Sequence, residues 1–139
     1  MERTLTIIKP NAVAAGASGR ILDRLIAEEF VIVALKMIFL SRNDASRFYA
    51  VHRGRAFFAD LVDFMTSGPV IVAVLEREDA VARLRRVVGD TDPPKAAEGT
   101  IRRLFGVDKT QNAIHASDSA ENACAEWRQF FAEEEIMIP

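Results

Sequence analysis

The order of periodic segments in this 139-residue chain predicts an α+β fold, strung as β-α-β-β-α-β around a four-stranded antiparallel sheet with helices on one face. Three observations carry the prediction. Apolar, β-branched runs recur at residues 3–8, 31–40 and 70–75, with a shorter one around Ala113–His115. Stretches with apolar residues at helical spacing separate the first run from the second and the third from the fourth. Half of the residues are hydrophobic and 27% are charged, the balance of a soluble globular chain able to bury a proper core. One domain over residues 1–139 is expected.

The first strand, Arg3–Ile8, stops at Lys9-Pro10, because proline supplies no ladder donor and restricts the residue before it. A Gly/Ser/Ala stretch reads as a flexible turn, and a helix follows near Gly19–Glu29 with Ile21, Leu22, Leu25 and Ile26 as its buried stripe. Residues 31–40 (VIVALKMIFL) read as a second, largely buried strand. Ser41, with Asp44 three residues on, signals a helix start, and Tyr49 lies near that helix's end. Phe57, Phe58, Leu61, Val62 and Met65 mark the next helix, stopped by Ser67-Gly68-Pro69. Residues 70–75 (VIVAVL) form the third strand. Asp79–Val88 is a helix closed by Gly89, with Val81, Leu84, Val87 and Val88 turned inward. Residues 89–100 form a long loop, and Ile101–Phe105 a helical turn. A fourth strand near Ala113–His115 leads to a last helix from Ser119 to Phe131, with Asp118-x-x-Glu121 at capping-box spacing. This order is that of a ferredoxin-like α/β sandwich carrying an extra helix pair and a long loop. A doubly wound parallel sheet fits four strands with two crossovers less well.

Charge and composition exclude several classes. The net charge is −2, so a general nucleic-acid surface is not indicated, and no apolar run approaches a membrane span. The single cysteine, Cys124, excludes an intrachain disulfide framework and reads as a packing residue beside Ala123. A cytoplasmic location is the default expectation. Residues 83–109, however, hold seven basic groups against four acidic ones, an island suited to a small polyanion. Neither G-x-x-x-x-G-K-[ST] nor G-x-G-x-x-G occurs, so a nucleotide would be held without either glycine-rich loop. No Cys/His spacing suggests zinc.

The stretch Asn112–Ser119 (NAIHASDS) carries the residue types that chemistry needs. It puts one of two histidines, His115, at the end of an apolar run beside hydroxyls and carboxylates. A neutral imidazole is a capable nucleophile near pH 7. Glu126 falls on the edge of the last helix's buried face, where a carboxylate needs a partner; a ring nitrogen of His115 is one, and an exposed helix face is the alternative. Arg85 and Arg102 flank the loop that contains Thr91, and Lys9 ends the first strand. Together these cations suit the oxygens of a transferring phosphoryl group. Phe57 offers a flat surface for a base, although core packing explains the same spacing. His52 reads as an exposed or satisfied structural histidine.

These blocks (ERTLTIIKP, FFADLVDFMTSGPV, GTIRRLFG, and NAIHASDS with Glu126) resemble the nucleoside diphosphate kinases in one register from Arg3 to Phe131. The resemblance implies a ping-pong enzyme in which His115 takes the terminal phosphoryl group of a nucleoside triphosphate and passes it to a nucleoside diphosphate. It implies that Lys9, Tyr49, Arg85, Thr91, Arg102 and Asn112 line the phosphate and sugar site, that Phe57 stacks on the base, and that Ser117 and Glu126 orient His115. It further implies Mg2+ held mainly by nucleotide phosphates and water, without a metal cage made by the protein. A homo-oligomer, dimer or tetramer, is implied by a chain ending soon after its last helix. The chain departs from the family pattern at Asn11, at Arg103-Leu104 and at Ala116, whose methyl group would strain the backbone if φ were positive there. Two other classes stay in view: a nucleotide sensor of the same fold without turnover, and a nucleic-acid module, which lacks the paired strand aromatics that stacking requires.

Overall fold

Strand β3 (Val70–Arg77) is buried along Val70–Leu75, and its run of apolar residues is what a strand covered on both faces needs. In the computed structural model, which describes residues 1–139, it lies between β2 (Val31–Ile38) and β1 (Glu2–Ile8), and β1 in turn pairs with β4 (Ile114–Ala116). The order is β2-β3-β1-β4 with every pairing antiparallel, the ferredoxin-like arrangement.

The sheet carries helices on both faces, not one. On the first, Ile71, Ala73 and Leu75 pack with Ile21 and Leu25 of α2 (Ser18–Ala27) and with Leu84, Val87 and Val88 of α5 (Ala80–Val88). On the second, Val70, Val72 and Val74 pack with Ala45 of α3 (Arg42–Phe48), Leu61, Val62 and Met65 of α4 (Phe58–Met65), and Trp127 of α7 (Ala120–Trp127). Strand alternation distributes one apolar run over two cores.

Several local readings need correction. Between Lys9 and the Gly/Ser/Ala stretch stands a short helix the sequence reading lacks, α1 (Pro10–Ala14), because Pro10 at the first helical position is already set at helical φ and its missing N–H is no loss there; the turn follows at Ala15-Gly16. In α2, Ile26 faces solvent at 58% exposure. β2 is an edge strand with a register irregularity between Ile32 and Ala34, and it leaves Leu35 and Met37 exposed. Local pattern does not encode edge position, so the apolar run reads as largely buried. The last helix ends at Trp127 and is capped by Ser119, whose hydroxyl accepts from Asn122 N–H at 3.0 Å, one residue later than the Asp118 spacing suggested. Cys124 on that helix is exposed. The chain end docks on β2, where Met137 N–H donates to the Val33 carbonyl at 2.7 Å.

Gly89 closes α5 at φ 90°, and a Cβ there would stand 2.6 Å from Thr100 Oγ1. The glycine therefore lets the loop meet α6 (Ile101–Phe105) closely, at the point where its own carbonyl receives Arg102. Gly89→Ala combines left-handed strain with a clash, and we expect a loss of about 2–4 kcal/mol in denaturant unfolding. A change under about 0.5 kcal/mol would contradict the close approach.

Candidate active site

β1 and β4 bring the chemistry together. Ile7 pairs with His115, the Thr6 hydroxyl donates to the His115 carbonyl at 2.8 Å, and the Lys9 N–H donates to the Ala113 carbonyl at 2.8 Å. The segment that enters β4 is forced: Ala113 is fully buried at φ 78°, a left-handed conformation costly for alanine. Ala116 has no positive φ, so strain at that position does not arise; the residue packs in the first core while also bordering the cavity.

The cavity has a volume of about 740 Å3. His115, Glu126, Lys9, Arg85 and Arg102 line it, and so do Tyr49, Phe57, Thr91 and Asn112. Ser117 is fully buried behind it. Every predicted site residue is thus in the wall or directly behind it. His52, Phe48, Lys109 and Asp118 also line the cavity. His52, which the sequence alone presents as an exposed or satisfied structural histidine, is a cavity residue that nothing local marks.

The Glu126 carboxylate organises the histidine. Its Oε1 lies 2.7 Å from His115 Nε2 and accepts the Ser117 hydroxyl at 2.7 Å. An ionised carboxylate oxygen only accepts, so Nε2 must carry the proton and Nδ1 keeps its lone pair. The His115 side chain remains 18% exposed, with the Phe48 ring edge-on to it at 5.0 Å. Burial holds the imidazole below its ordinary pKa, Glu126 acts against this, and Lys9 and Arg102 reinforce it. The result is a neutral, oriented imidazole at pH 7.

The cations around it lack carboxylate partners. Arg102, 5% exposed, donates to the carbonyls of Gly89 at 3.0 Å and Ile114 at 2.9 Å, while its Nε has no partner. Burial, then the neighbouring Arg85, lowers its pKa to about 10, which leaves it charged. Arg85 donates to the Ala116 carbonyl at 3.2 Å. Lys9, 6% exposed, reaches only the Thr110 carbonyl at 3.4 Å, and burial followed by repulsion from Arg102 lowers its pKa to about 7. Two buried cations, Lys9 and Arg102, without carboxylate partners are costly unless an anion joins them, and the exposed Arg85 adds its charge at the same wall.

Neutral groups complete the wall. The Tyr49 hydroxyl is buried without a partner, and burial together with the Glu126 charge raises its pKa, so the phenol stays protonated and able to donate. Asn112 donates to the carbonyls of Thr91 at 3.1 Å and Lys109 at 3.0 Å, tying the long loop to the segment before β4, and its Oδ1 is free. Phe57 is 40% exposed at the cavity rim, with the Arg55 guanidinium 5.7 Å from its ring. The protein has no cluster of three or more His, Cys, Asp or Glu residues placed to hold a metal ion.

Comparison with known proteins agrees with this geometry. A sequence model described as nucleoside diphosphate kinase matches residues 2–136. The chain is 56% identical to a nucleoside diphosphate kinase of Nitratiruptor sp., over 99% of this chain and 100% of that relative. It is 52% identical to one of Sorangium cellulosum, over 98% and 94%. Among solved structures, the nucleoside diphosphate kinase of Aquifex aeolicus superposes with a TM-score of 0.95 at 53% identity, over 98% of this chain and 99% of that one. A halophilic nucleoside diphosphate kinase from Halobacterium salinarum, solved in complex with CDP, gives 0.96 at 37% identity, over 99% and 92%. With an oriented histidine facing three uncompensated cations, and with these likenesses spanning the chain end to end, the protein belongs to the nucleoside diphosphate kinase family.

Proposed function

We propose that this kinase exchanges terminal phosphoryl groups between nucleotides through His115 Nδ1, and that the Glu126–His115 contact at 2.7 Å is the observation that carries the assignment. The Nδ1 lone pair attacks the terminal phosphorus, an N–P bond forms, and the P–O bond to the bridging oxygen breaks with its electron pair leaving on the diphosphate. The ring gains positive charge as the bond forms, and the Glu126 carboxylate stabilises it through Nε2–H. Ser117 holds the same carboxylate oxygen, so the orientation is fixed before substrate arrives. A second nucleoside diphosphate then takes the group by the reverse path.

Lys9, Arg85 and Arg102 neutralise charge spread over the transferring oxygens, which costs little reorganisation because they are already placed. Tyr49, Thr91 and Asn112 contact the phosphate and sugar portion. Phe57 stacks on the base, a contact that accepts any base because each presents a π-face. The hard oxygens of two adjacent phosphates favour Mg2+, which lowers their charge when bound. Asp118 is the cavity carboxylate not engaged with His115, and it is the acidic side chain that would help hold the ion when the nucleotide brings it. Initial-rate kinetics at several fixed nucleotide concentrations test the mechanism: parallel double-reciprocal lines are expected, and intersecting lines would remove the covalent intermediate.

Lys9 makes nucleotide binding pH-dependent. Its pKa of about 7 in the free protein rises when a polyanion enters, since the charged form is then favoured. Binding at pH 8 should therefore take up a proton, and affinity should fall as pH rises above about 7, by at most about tenfold per unit. Calorimetric titration with ADP in buffers of different ionisation enthalpy measures this uptake. Proton release would contradict it.

No helix is long and apolar enough to cross a membrane. A cytoplasmic site of action fits an exposed free thiol at Cys124. The exposed apolar groups Leu35, Met37 and Phe39 along and just after β2, with Met137 and Ile138 nearby in the docked tail, support a homo-oligomer, dimer or tetramer, that covers this edge. Light scattering after size-exclusion should show no monomer at micromolar concentration.

A further inference from the structure

Arg103, one of the positions at which the chain departs from the family pattern, takes no part in the mechanism above. It stands beside Arg102 on α6, and consecutive helical residues point about 100° apart. The two guanidinium groups therefore reach different parts of the loop over residues 89–100. Arg102 donates to the Gly89 carbonyl at 3.0 Å, and Arg103, from the exposed side, donates to the Pro94 carbonyl at 2.7 Å. Between these anchors lies Thr91, whose own carbonyl receives the Asn112 amide at 3.1 Å. Thr91 is exposed, so backbone anchors, and not packing, set where its hydroxyl points. Pro93 and Pro94 have no N–H, so this stretch can be gripped only by donors to its carbonyls or by close packing. α6 and its end supply both. Gly106, just after the helix, lets the buried Pro93 come so near that a Cβ on the glycine would stand 2.6 Å from Pro93 Cγ. The gripped segment is itself a closed turn, with Lys95 N–H donating to the Asp92 carbonyl at 2.9 Å and Ala96 N–H to the Pro93 carbonyl at 3.1 Å.

We propose that Arg103 is a positioning residue that clamps the outer end of the segment Gly89–Pro94 and thereby holds Thr91 in place for a bound nucleotide. The proposal rests on the assignment of the cavity to nucleotides. A guanidinium suits the task, because its long stem follows the protein surface while its planar fork donates in a fixed direction. Two adjacent arginines thus divide the work: one faces the transferring group, and the other keeps the loop where the first can share a ligand with it.

Arg103→Met keeps an aliphatic stem and removes the donors, and Arg103→Lys restores one. In the free protein, hydrogen exchange at the Lys95 and Ala96 amides should be about fivefold faster in Arg103→Met, since the turn they close opens more often. Calorimetric titration should show Kd for ADP raised about three- to fivefold, the value of one hydrogen bond. Arg103→Lys should recover most of both losses. A contact that only supports the fold would weaken binding equally with or without the Thr91 hydroxyl, so Arg103→Met is also made in the Thr91→Ala protein. There its further effect on Kd should be under about twofold, because the group it positions is gone. Wild-type exchange or a wild-type Kd in Arg103→Met overturns the proposal, and so does an undiminished effect in the Thr91→Ala protein. Failure of the nucleotide assignment has a different signature: ADP then fails to bind the wild-type protein, while exchange at Lys95 and Ala96 still reports on the Arg103 clamp.

Discussion

Replacing His115 by alanine is expected to lower phosphoryl exchange on the order of 100,000-fold, with little change in stability. The asymmetry follows from the contacts. Nδ1 is the atom that accepts the phosphoryl group, and no other nitrogen lining the cavity is oriented by the Glu126 carboxylate. The fold loses less. Glu126 Oε1 retains the Ser117 hydroxyl at 2.7 Å, and its side chain is 19% exposed, so water can replace the lost donor. We expect unfolding free energy to change by about 1 kcal/mol or less. An enzyme retaining more than about one part in a hundred of wild-type turnover would place the nucleophile elsewhere.

The second large effect belongs to Arg102. Its guanidinium does two jobs: it donates to the Gly89 and Ile114 carbonyls, and it presents charge beside His115. Arg102→Ala orphans two carbonyls, at about 1–3 kcal/mol each if they stay buried. It also removes a buried cation that repels Lys9 and Arg85, which offsets part of this cost. The expected net destabilisation is therefore about 1–3 kcal/mol, whereas kcat/KM should fall about 100- to 1,000-fold from the loss of charge at the transferring group. Arg102→Lys should not rescue it, because an ammonium cannot make both carbonyl contacts and still face the substrate. With Arg102 gone, Lys9 loses the repulsion that helps lower its pKa, so the decline of affinity with pH should begin at higher pH than in the wild type. A profile that stays put, or activity loss no larger than the stability loss explains, would contradict the electrostatic role.

Much of the fold and of the site is legible in the sequence. The Ser41 cap accepts Asp44 N–H at 3.0 Å as its spacing required, and α5 ends on Gly89 with its inward stripe as read. Glu126 could be matched to His115 because helical periodicity put a carboxylate on a half-buried face that needed a partner, and the 2.7 Å contact is that partner. The rest depends on tertiary placement. Whether a run such as VIVALKMIFL lies at an edge or in the centre of a sheet is decided by its neighbours, so the exposure of Leu35 and Met37 had no local signature. The second helical layer did have one, since VIVAVL alternates nothing polar and so implied cover on both faces. His52 joined the cavity through a tight turn that eclipses it with Tyr49, a conformation that the sequence Tyr-Ala-Val-His does not announce. The positive φ fell on Ala113, three residues before the alanine that had drawn suspicion, because the chain must swing into β4 there.

The tautomer is what links the geometry to the chemistry, and it can be read on the phosphorylated protein. Nuclear magnetic resonance of the 15N-labelled enzyme after reaction with ATP distinguishes phosphorus on Nδ1 from phosphorus on Nε2. Nε2 faces Glu126 at 2.7 Å, so phosphorus is expected on Nδ1 of His115. A phosphoryl group on Nε2, or on any other residue, would contradict the mechanism.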